Sequence, residues 1–308
     1  MKFLFPLLSV LLAAPSALLA APTSSSPSIL LHPRQAPPNT VYTRYPETET
    51  ASLNLTFFVL PAPRALAQQI AGDKYPLMAS FRERLPADVS ATIGEDEHPL
   101  FVLAYFSAEV HYASAPIVIP ALSVVQTYAA FVDCTGDGKT ACFRQHAGYF
   151  DQLPPAILGN VISSIRLFAG SFDPPHSPYR PIAGTEKYGF NVSDLAVGLL
   201  GGGKPYTSSF SFASEGGGLT GEMAQQYLAG PLVRSLDTKC LKSDYFFNET
   251  TTPIRNIVGD VDVRSPLLPL KGLAGQKLQL KNVLGLAAAV QRSATTVAVE
   301  CSTYANGA

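Results

Sequence analysis

The sequence predicts a mainly β protein of the α+β class, built on a closed or sandwiched antiparallel sheet with a few peripheral short helices. Short segments rich in β-branched and aromatic residues follow one another without the strand–helix alternation that marks parallel α/β folds. The 308-residue chain also contains 26 Pro and 23 Gly, which favour strands and turns over long helices. These two observations together indicate an antiparallel β architecture.

The first half of the chain predicts most of the sheet. Strands are predicted at residues 53–60, 101–112, 117–132 and 143–149. A helix is predicted at 64–70, directly after Pro63, and the third strand is predicted to break at Pro120.

The second half alternates extended segments with Gly-rich loops. Extended segments are predicted at residues 162–172, 188–190, 207–213, 256–263 and 295–301. A short helix is predicted to open at Gln152, and apolar residues at helical spacing predict a second helix at 278–294.

The N-terminus has the layout of a secretory signal peptide. One cation, Lys2, precedes an apolar run that ends in small residues, and cleavage is predicted after Ala20. A membrane anchor is the alternative, but the run is short and is interrupted by Pro6 and Pro15. The sequence therefore predicts a secreted protein without stable membrane insertion.

The mature chain divides into two parts. Residues 21–40 are rich in Pro and Ser and predict a disordered lead-in, in which Arg34 ends either a pro-segment or an ordinary exposed tail. Residues 41–308 are predicted to form a single β-rich domain. Of the 22 Lys and Arg residues in the full chain, removing Lys2 leaves 21 against 23 Asp and Glu, a net charge of −2, and no basic cluster predicts nucleic-acid binding.

Four cysteines are expected to be oxidised in a secreted protein. Cys134 and Cys142 flank a turn-rich loop, so they are predicted to pair locally, which leaves Cys240 to pair with Cys301. A zinc site is the alternative, but the spacing has no Cys-x-x-Cys pattern. No metal site is therefore predicted. Three sequons predict glycosylation, at Asn54, Asn191 and Asn248.

One segment resembles a known catalytic loop. It reads Gly184-Thr-Glu-Lys-Tyr-Gly-Phe-Asn-Val-Ser193. It is similar to the Gly-Arg-Glu-x-x-Gly-(Tyr/Phe)-Pro-Lys-Lys signature of the acetoacetate decarboxylase-like superfamily, matching it at Gly184, Glu186, Gly189 and Phe190. The position of the family's Schiff-base Lys is Val192. Valine has no amine that could condense with a carbonyl, so the imine mechanism cannot run from this residue.

The resemblance covers roughly residues 40–272 and implies a cone-like β-barrel with an apolar interior. It also implies that Glu186 helps to position the loop. Lys187 could replace the lost amine, but adjacent strand residues point to opposite faces, so Lys187 and Glu186 cannot both face the interior without a bulge. An unrelated β fold is the alternative interpretation.

Glu109 and His111 are the candidate acid–base pair. Period-two alternation along 101–112 places both on one face of the strand, with Phe101, Leu103, Tyr105 and Ser107. Inside a barrel, burial and mutual proximity would suit the pair for proton transfer. The alternative is that this face looks outward and the pair is merely solvated.

These patterns lead to one functional expectation with two alternatives. The barrel is expected to enclose a small or medium apolar carbonyl compound and to act as a Lys-independent lyase or cyclase, with Glu109, His111 and Glu186 as catalytic residues and no cofactor. A carrier of a hydrophobic ligand and a structural or interaction protein remain open, since the sequence leaves catalysis itself undecided.

Overall fold

A computed structural model describes residues 37–113, 118–161, 164–195, 203–213, 218–249, 253–271 and 274–307. Its centre is a closed barrel of nine strands, in the order β4-β3-β2-β1-β15-β12-β8-β7-β5. The neighbours within this order are antiparallel, and a parallel pairing of β4 with β5 closes the barrel. The predicted mainly β barrel fold is confirmed.

The strands and helices have the following bounds. The barrel strands are β1 (Glu49–Pro63), β2 (Glu97–Tyr112), β3 (Val118–Asp133), β4 (Ala141–Phe150), β5 (Leu167–Asp173), β7 (Tyr188–Asp194), β8 (Tyr206–Phe212), β12 (Arg255–Arg264) and β15 (Lys277–Ala294). The short strands are β6 (Arg180–Pro181), β9 (Leu232–Val233), β10 (Cys240–Leu241), β11 (Ser243–Phe246), β13 (Leu270–Lys271) and β14 (Ala274–Gly275). The α-helices are α1 (Arg64–Ala71), α2 (Phe81–Arg84), α3 (Ala87–Ala91), α4 (Leu153–Val161) and α5 (Gly221–Leu228).

The barrel interior is filled by side chains. All nine barrel strands contribute to one buried cluster, whose largest fully buried members are Phe58, Tyr149, Phe190, Tyr206 and Phe210. Helix α1 adds its buried face to the same cluster and covers the barrel end at which β1 finishes. The interior therefore resembles a packed core more than an open lumen.

A second buried cluster lies outside the barrel wall. It consists of the outward-facing residues of β1, β2, β3 and β15, packed under α2, α3 and α5. Strands β1, β2, β3 and β15 are consequently buried on both faces for much of their length. In the sequence, strands of this kind are continuous apolar segments without alternation.

Three sequence-based expectations about elements are wrong. Residues 278–294 form strand β15 and not a helix, because both of its faces are buried over 286–291 and the alternation is lost. Strand β3 continues through Pro120. Pro120 is exposed and precedes Val124, the first residue of β3 that pairs with β4, so β3 has no partner strand on its β4 side at Pro120. The predicted strand at 295–301 is limited to one bridge between Val299 and Cys240, followed by a 3-10 helix from Cys301.

Other expectations fall partly outside the described residues. The predicted signal peptide at 1–20 and lead-in residues 21–36 belong to this group. Within the lead-in, Asn39 is buried, and its amide nitrogen donates to the Thr50 hydroxyl at 3.0 Å. No helix among the described residues is long and apolar enough to cross a membrane.

Candidate functional site

Val192 lies on the interior face of β7 and is completely buried. Its register partners are Phe172 on β5 and Tyr206 on β8, and both are also buried in the interior cluster. A Cβ atom added at Gly170 would lie 2.9 Å from the Val192 Cγ1 atom. Position 192, where the family resemblance predicts a lysine, is therefore closely packed.

Of the other signature residues, Phe190 is buried in the barrel interior, whereas Glu186 and Lys187 lie outside it. Glu186 is exposed in the turn before β7, away from the buried Val192 side chain. Lys187 is also exposed, and its Nζ atom lies 3.4 Å from Asp260 Oδ2. The structure thus separates Glu186 and Lys187 from the interior.

Glu109 and His111 do not form the predicted pair. The register between β1 and β2 shifts between Thr50 and Ser52, and Glu109 has a positive φ of 50°, so a β-bulge ends the period-two alternation. Glu109 accepts a hydrogen bond from the Asn39 backbone N–H at 3.0 Å. The His111 ring stacks on Tyr42, with 4.1 Å between centroids. Both side chains therefore contact the segment before β1, and neither is directed at the other.

A cavity of about 630 Å³ opens at the end of the barrel nearest to Val192. Asp194, two residues after Val192 on the same face of β7, lines it. The cavity is rich in basic groups: His146, Arg166, Lys204, Arg264 and Lys277. We call this space the end cavity.

Strand ends place these groups around one rim. Arg166 directly precedes β5, Asp194 ends β7 and Lys204 lies just before β8. Lys204 continues the β7–β8 register to the level of Asp194, whereas Arg166 lies four residues before Gly170, the partner of Asp194 on β5. Arg264 ends β12 and Lys277 begins β15, so the arc of basic side chains continues along the rim.

The cations of the end cavity differ in how they are neutralised. Asp262 lies 2.7 Å from the Arg264 guanidinium and 3.7 Å from Lys277 Nζ, so it balances part of their charge. For Arg166 and Lys204, no carboxylate of the described ranges lies within ion-pair distance. An uncompensated pair of cations at a cavity mouth attracts anions.

Tyr149 is a hydrogen-bond partner of the Asp194 carboxylate. Its hydroxyl donates to Asp194 Oδ2 at 3.3 Å. Burial, followed by the Asp194 charge, raises the pKa of Tyr149 above its ordinary value, so the phenol stays protonated at neutral pH. Tyr149 therefore orients Asp194 as a hydrogen-bond donor.

His146 is neutral at physiological pH. The pairing of β3 with β4 skips His146, which is the extra residue of a β-bulge. Burial and then the positive charge of Arg166 lower the pKa of His146 from 6.5 to about 4. The ring is thus available as an uncharged hydrogen-bonding group near Arg166.

A second, larger cavity of about 840 Å³ lies on the outer face of β7, β8, β12 and β15. Polar outward-facing side chains line it, among them Asn191, Thr207 and Asp260. Adjacent strand residues point to opposite faces, so this groove is separated from Val192 by the barrel wall. We call it the outer groove.

The cysteines and sequons occupy defined places. Disulfides join Cys134 to Cys142 and Cys240 to Cys301, the pairs expected from spacing, and Cys134 Sγ lies 3.7 Å from Cys240 Sγ.

Among the sequons, Asn248 is exposed and Asn191 lines the outer groove. Asn54 is half-buried in the middle of β1, with β2 and β15 on either side.

Sequence reasoning missed every residue of the end cavity. His146, Arg166, Asp194 and Lys204 come from four separate parts of the chain and have no shared motif. The one available signal was the family-like loop itself, because Asp194 lies two positions beyond Val192 and a strand places such residues on one face.

No family model matches the sequence, and no curated protein sequence is detectably similar to it. Solved structures do match. The enduracididine biosynthesis enzyme MppR complexed with pyruvate aligns with a TM-score of 0.53 and 12% identity, covering 84% of this chain and 92% of MppR. MppR with the condensation product of pyruvate and imidazole 4-carboxaldehyde aligns with a TM-score of 0.52 and 11% identity, covering 84% and 91%.

An acetoacetate decarboxylase-like enzyme from Sphingomonas wittichii RW1 aligns more loosely, with a TM-score of 0.43 and 10% identity over 82% of this chain and 92% of that enzyme. At identities this low, the matches describe the fold and not the activity. The chain has the fold of MppR.

Proposed function

We propose that this protein binds a small carbonyl compound bearing a carboxylate, without forming a covalent imine, in the end cavity. The observation that carries the proposal is the convergence of Arg166, Lys204, Arg264 and Lys277 on a cavity of about 630 Å³ that is also lined by Asp194, two residues beyond the buried Val192. MppR, which shares the fold, has been solved with pyruvate bound. Pyruvate is a ligand of this chemical class.

The charges favour an anionic ligand over the apolar one expected from sequence. Large side chains such as Tyr149, Phe190 and Phe210 occupy the barrel interior. Space is found instead at the basic barrel end. Cations beside low-dielectric walls concentrate anions and hold a carboxylate through charge-assisted hydrogen bonds.

The same cavity supports proton transfer next to a carbonyl. Asp194 Oδ is the candidate base that removes a proton from the carbon adjacent to the carbonyl, and the electron pair of the broken C–H bond becomes the enolate. The cationic rim stabilises the enolate charge. Tyr149 is a positioning residue, because it holds Asp194 through its hydroxyl.

A carrier function would use the same cavity without chemistry. The buried Val192, which replaces the family's nucleophile, favours this second candidate. The two candidates differ in one measurable property: a lyase- or cyclase-type enzyme catalyses proton exchange on the bound ligand, whereas a carrier only binds it.

The experiment is proton NMR of pyruvate in D₂O with the purified protein. Faster loss of the methyl signal than in buffer supports the enzyme, and Asp194→Asn should abolish the acceleration. Asp260→Asn is the matched control, since Asp260 lies on the outer groove and should change nothing. Saturable pyruvate binding without exchange would support the carrier, and the absence of both binding and exchange would overturn the proposal.

We also propose that the protein is exported through the secretory pathway. The signal-like N-terminus and the two disulfides support export. Expression in a eukaryotic secretory host tests it: the protein should be recovered from the medium beginning at Ala21 or at a later processed residue. Retention inside the cell with an intact Met1 would contradict export.

A further inference from the structure

The end cavity contains more positive charge than one carboxylate neutralises. Arg166, Lys204, Arg264 and Lys277 supply four cations. Asp262, which contacts Arg264 and Lys277, and Asp194 supply two carboxylates, so two positive charges remain. Since His146 is neutral, it leaves this balance unchanged. A ligand with two negative charges would neutralise the cavity.

The cations also lie in two groups along the rim. Arg166 stands next to β4 and His146, on one side of Asp194. Lys204 stands on the other side, next to the β12 end that bears Arg264. Two strand spacings of about 4.8 Å lie between β5 and β8, and Arg166 is four residues along the strand from Gly170, the β5 partner of Asp194, so the backbones of Arg166 and Lys204 are separated by roughly 16 Å. Long side chains from both positions can reach toward a ligand held between them.

The geometry points to a dianionic 2-oxo acid, whose carboxylate next to the carbonyl is held by Arg166 and whose distal carboxylate is held by Lys204. This inference rests on the proposed function and adds the substrate class. In this orientation the carbon chain passes Asp194, which lines the same cavity as the two cations. A monoanion of the same length would leave Lys204 without a partner from the ligand.

The preference of the cavity for a dianion over a monoanion depends on how strongly solvent screens Lys204. A carboxylate that replaces a terminal methyl group gains a charge-assisted hydrogen bond from Lys204, and such bonds are stronger than neutral ones. Lys204 is exposed, so part of this gain is lost to solvent and salt. We therefore expect a preference of about tenfold for the dianion, which corresponds to about 1.4 kcal/mol.

The test compares two ligands of equal length. 2-Oxoglutarate and 2-oxovalerate are both five-carbon 2-oxo acids, and they differ only in a terminal carboxylate or methyl group. Isothermal titration calorimetry with the full mature protein should give about tenfold tighter binding of 2-oxoglutarate at low salt. The preference should shrink as NaCl is raised, because the exposed Lys204 charge is screened.

A pair of variants assigns the preference to the end cavity. Lys204→Gln should reduce the affinity ratio to below about threefold, with an unchanged unfolding temperature showing that the variant is folded. Lys281→Gln removes an equally exposed cation from the outer groove and should leave the ratio intact.

The outcomes separate this inference from the proposed function. Equal binding of 2-oxoglutarate and 2-oxovalerate would overturn the dianion inference and leave the proposed function standing. Failure of both ligands and of pyruvate to bind would overturn both. A preference that survives in Lys204→Gln would overturn the role assigned to Lys204.

Discussion

The hydroxyl of Tyr149 donates a hydrogen bond to the carboxylate of Asp194, across 3.3 Å, at the base of the end cavity. The two residues belong to β4 and β7, which are separated by β5 in the barrel. A protonated phenol behind a carboxylate fixes the direction of the remaining carboxylate oxygen, a positioning role that is common in acid–base sites. Several predictions about the molecule depend on this contact and on its surroundings.

Removing the Tyr149 hydroxyl should slow exchange more than it weakens binding. Tyr149→Phe keeps the ring and its packing but removes the donor to Asp194, a loss of about 1–1.5 kcal/mol. The exchange rate of bound pyruvate should fall about tenfold, while the dissociation constant changes less than threefold. Both are measured by NMR, as a rate at saturation and as a titration.

Tyr206→Phe is the control for this substitution. Tyr206 is equally buried and faces the same interior as a neighbour of Val192, but it is Tyr149 and not Tyr206 that donates to Asp194. Its loss should leave the exchange rate within about twofold of wild type. An equal fall in both variants would show that the effect comes from packing and not from the orientation of Asp194.

Restoring a lysine at position 192 should damage the fold without creating an imine-forming enzyme. In Val192→Lys, a longer side chain must fit among Phe172, Tyr206 and Gly170, and its ammonium loses hydration. We expect a loss of about 3 kcal/mol or more at pH 7, measured by urea unfolding. Borohydride with pyruvate should trap no adduct on this variant.

The pH dependence of Val192→Lys separates charge from size. A buried lysine has a lower pKa in the folded than in the unfolded state, so the unfolded state binds more protons and the destabilisation eases as pH rises. Val192→Met adds length without charge and should show a loss independent of pH. A Lys variant as stable as wild type at pH 7 would contradict the close packing described around this position.

The sequence predicted the β-barrel architecture more accurately than it predicted which segments form the strands. In the middle of β15, Ala287, Ala288 and Ala289 face alternately the interior and the outer cluster, yet all three are buried. Because both faces are apolar, the local pattern contains no alternation, and three Ala residues favour a helix on propensity alone. Only the pairing with β12, and with β1 at the other end of the chain, decides in favour of a strand.

The residues of the end cavity could not be predicted from the sequence, for a related reason. Arg166 and Lys204 line one cavity with Asp194 because β5, β7 and β8 are adjacent in the barrel, and no local spacing in the sequence encodes that adjacency. Glu109 departs from the period-two pattern because a single extra residue in β2 interrupts it. Bulges and barrel closure are tertiary features, so they are not visible in a window of sequence.

The two disulfides should contribute unequally to stability. They close loops with sequence separations of 8 and 61 residues. Loop-closure entropy alone gives about 2.5 kcal/mol for Cys134–Cys142 and about 4 kcal/mol for Cys240–Cys301. Replacing each pair by Ala and measuring urea unfolding should reproduce this order. A larger loss for the shorter loop would mean that packing around the adjacent sulfurs, and not chain entropy, dominates.

Two buried histidines should make the protein less stable in mild acid. Burial lowers the pKa of both His98 and His146 from 6.5 to about 4. The unfolded state therefore takes up protons first as pH falls below about 6.5, and stability is lost progressively until pH reaches about 4. Each residue contributes up to about 3 kcal/mol to this loss, and the half-buried His146 contributes less than that limit. His146→Gln should flatten the decline in stability measured by urea unfolding between pH 7 and 4.5. An identical decline in wild type and His146→Gln would show that His146 is already solvated and charged in the folded state, which would also remove the neutral ring from the end cavity.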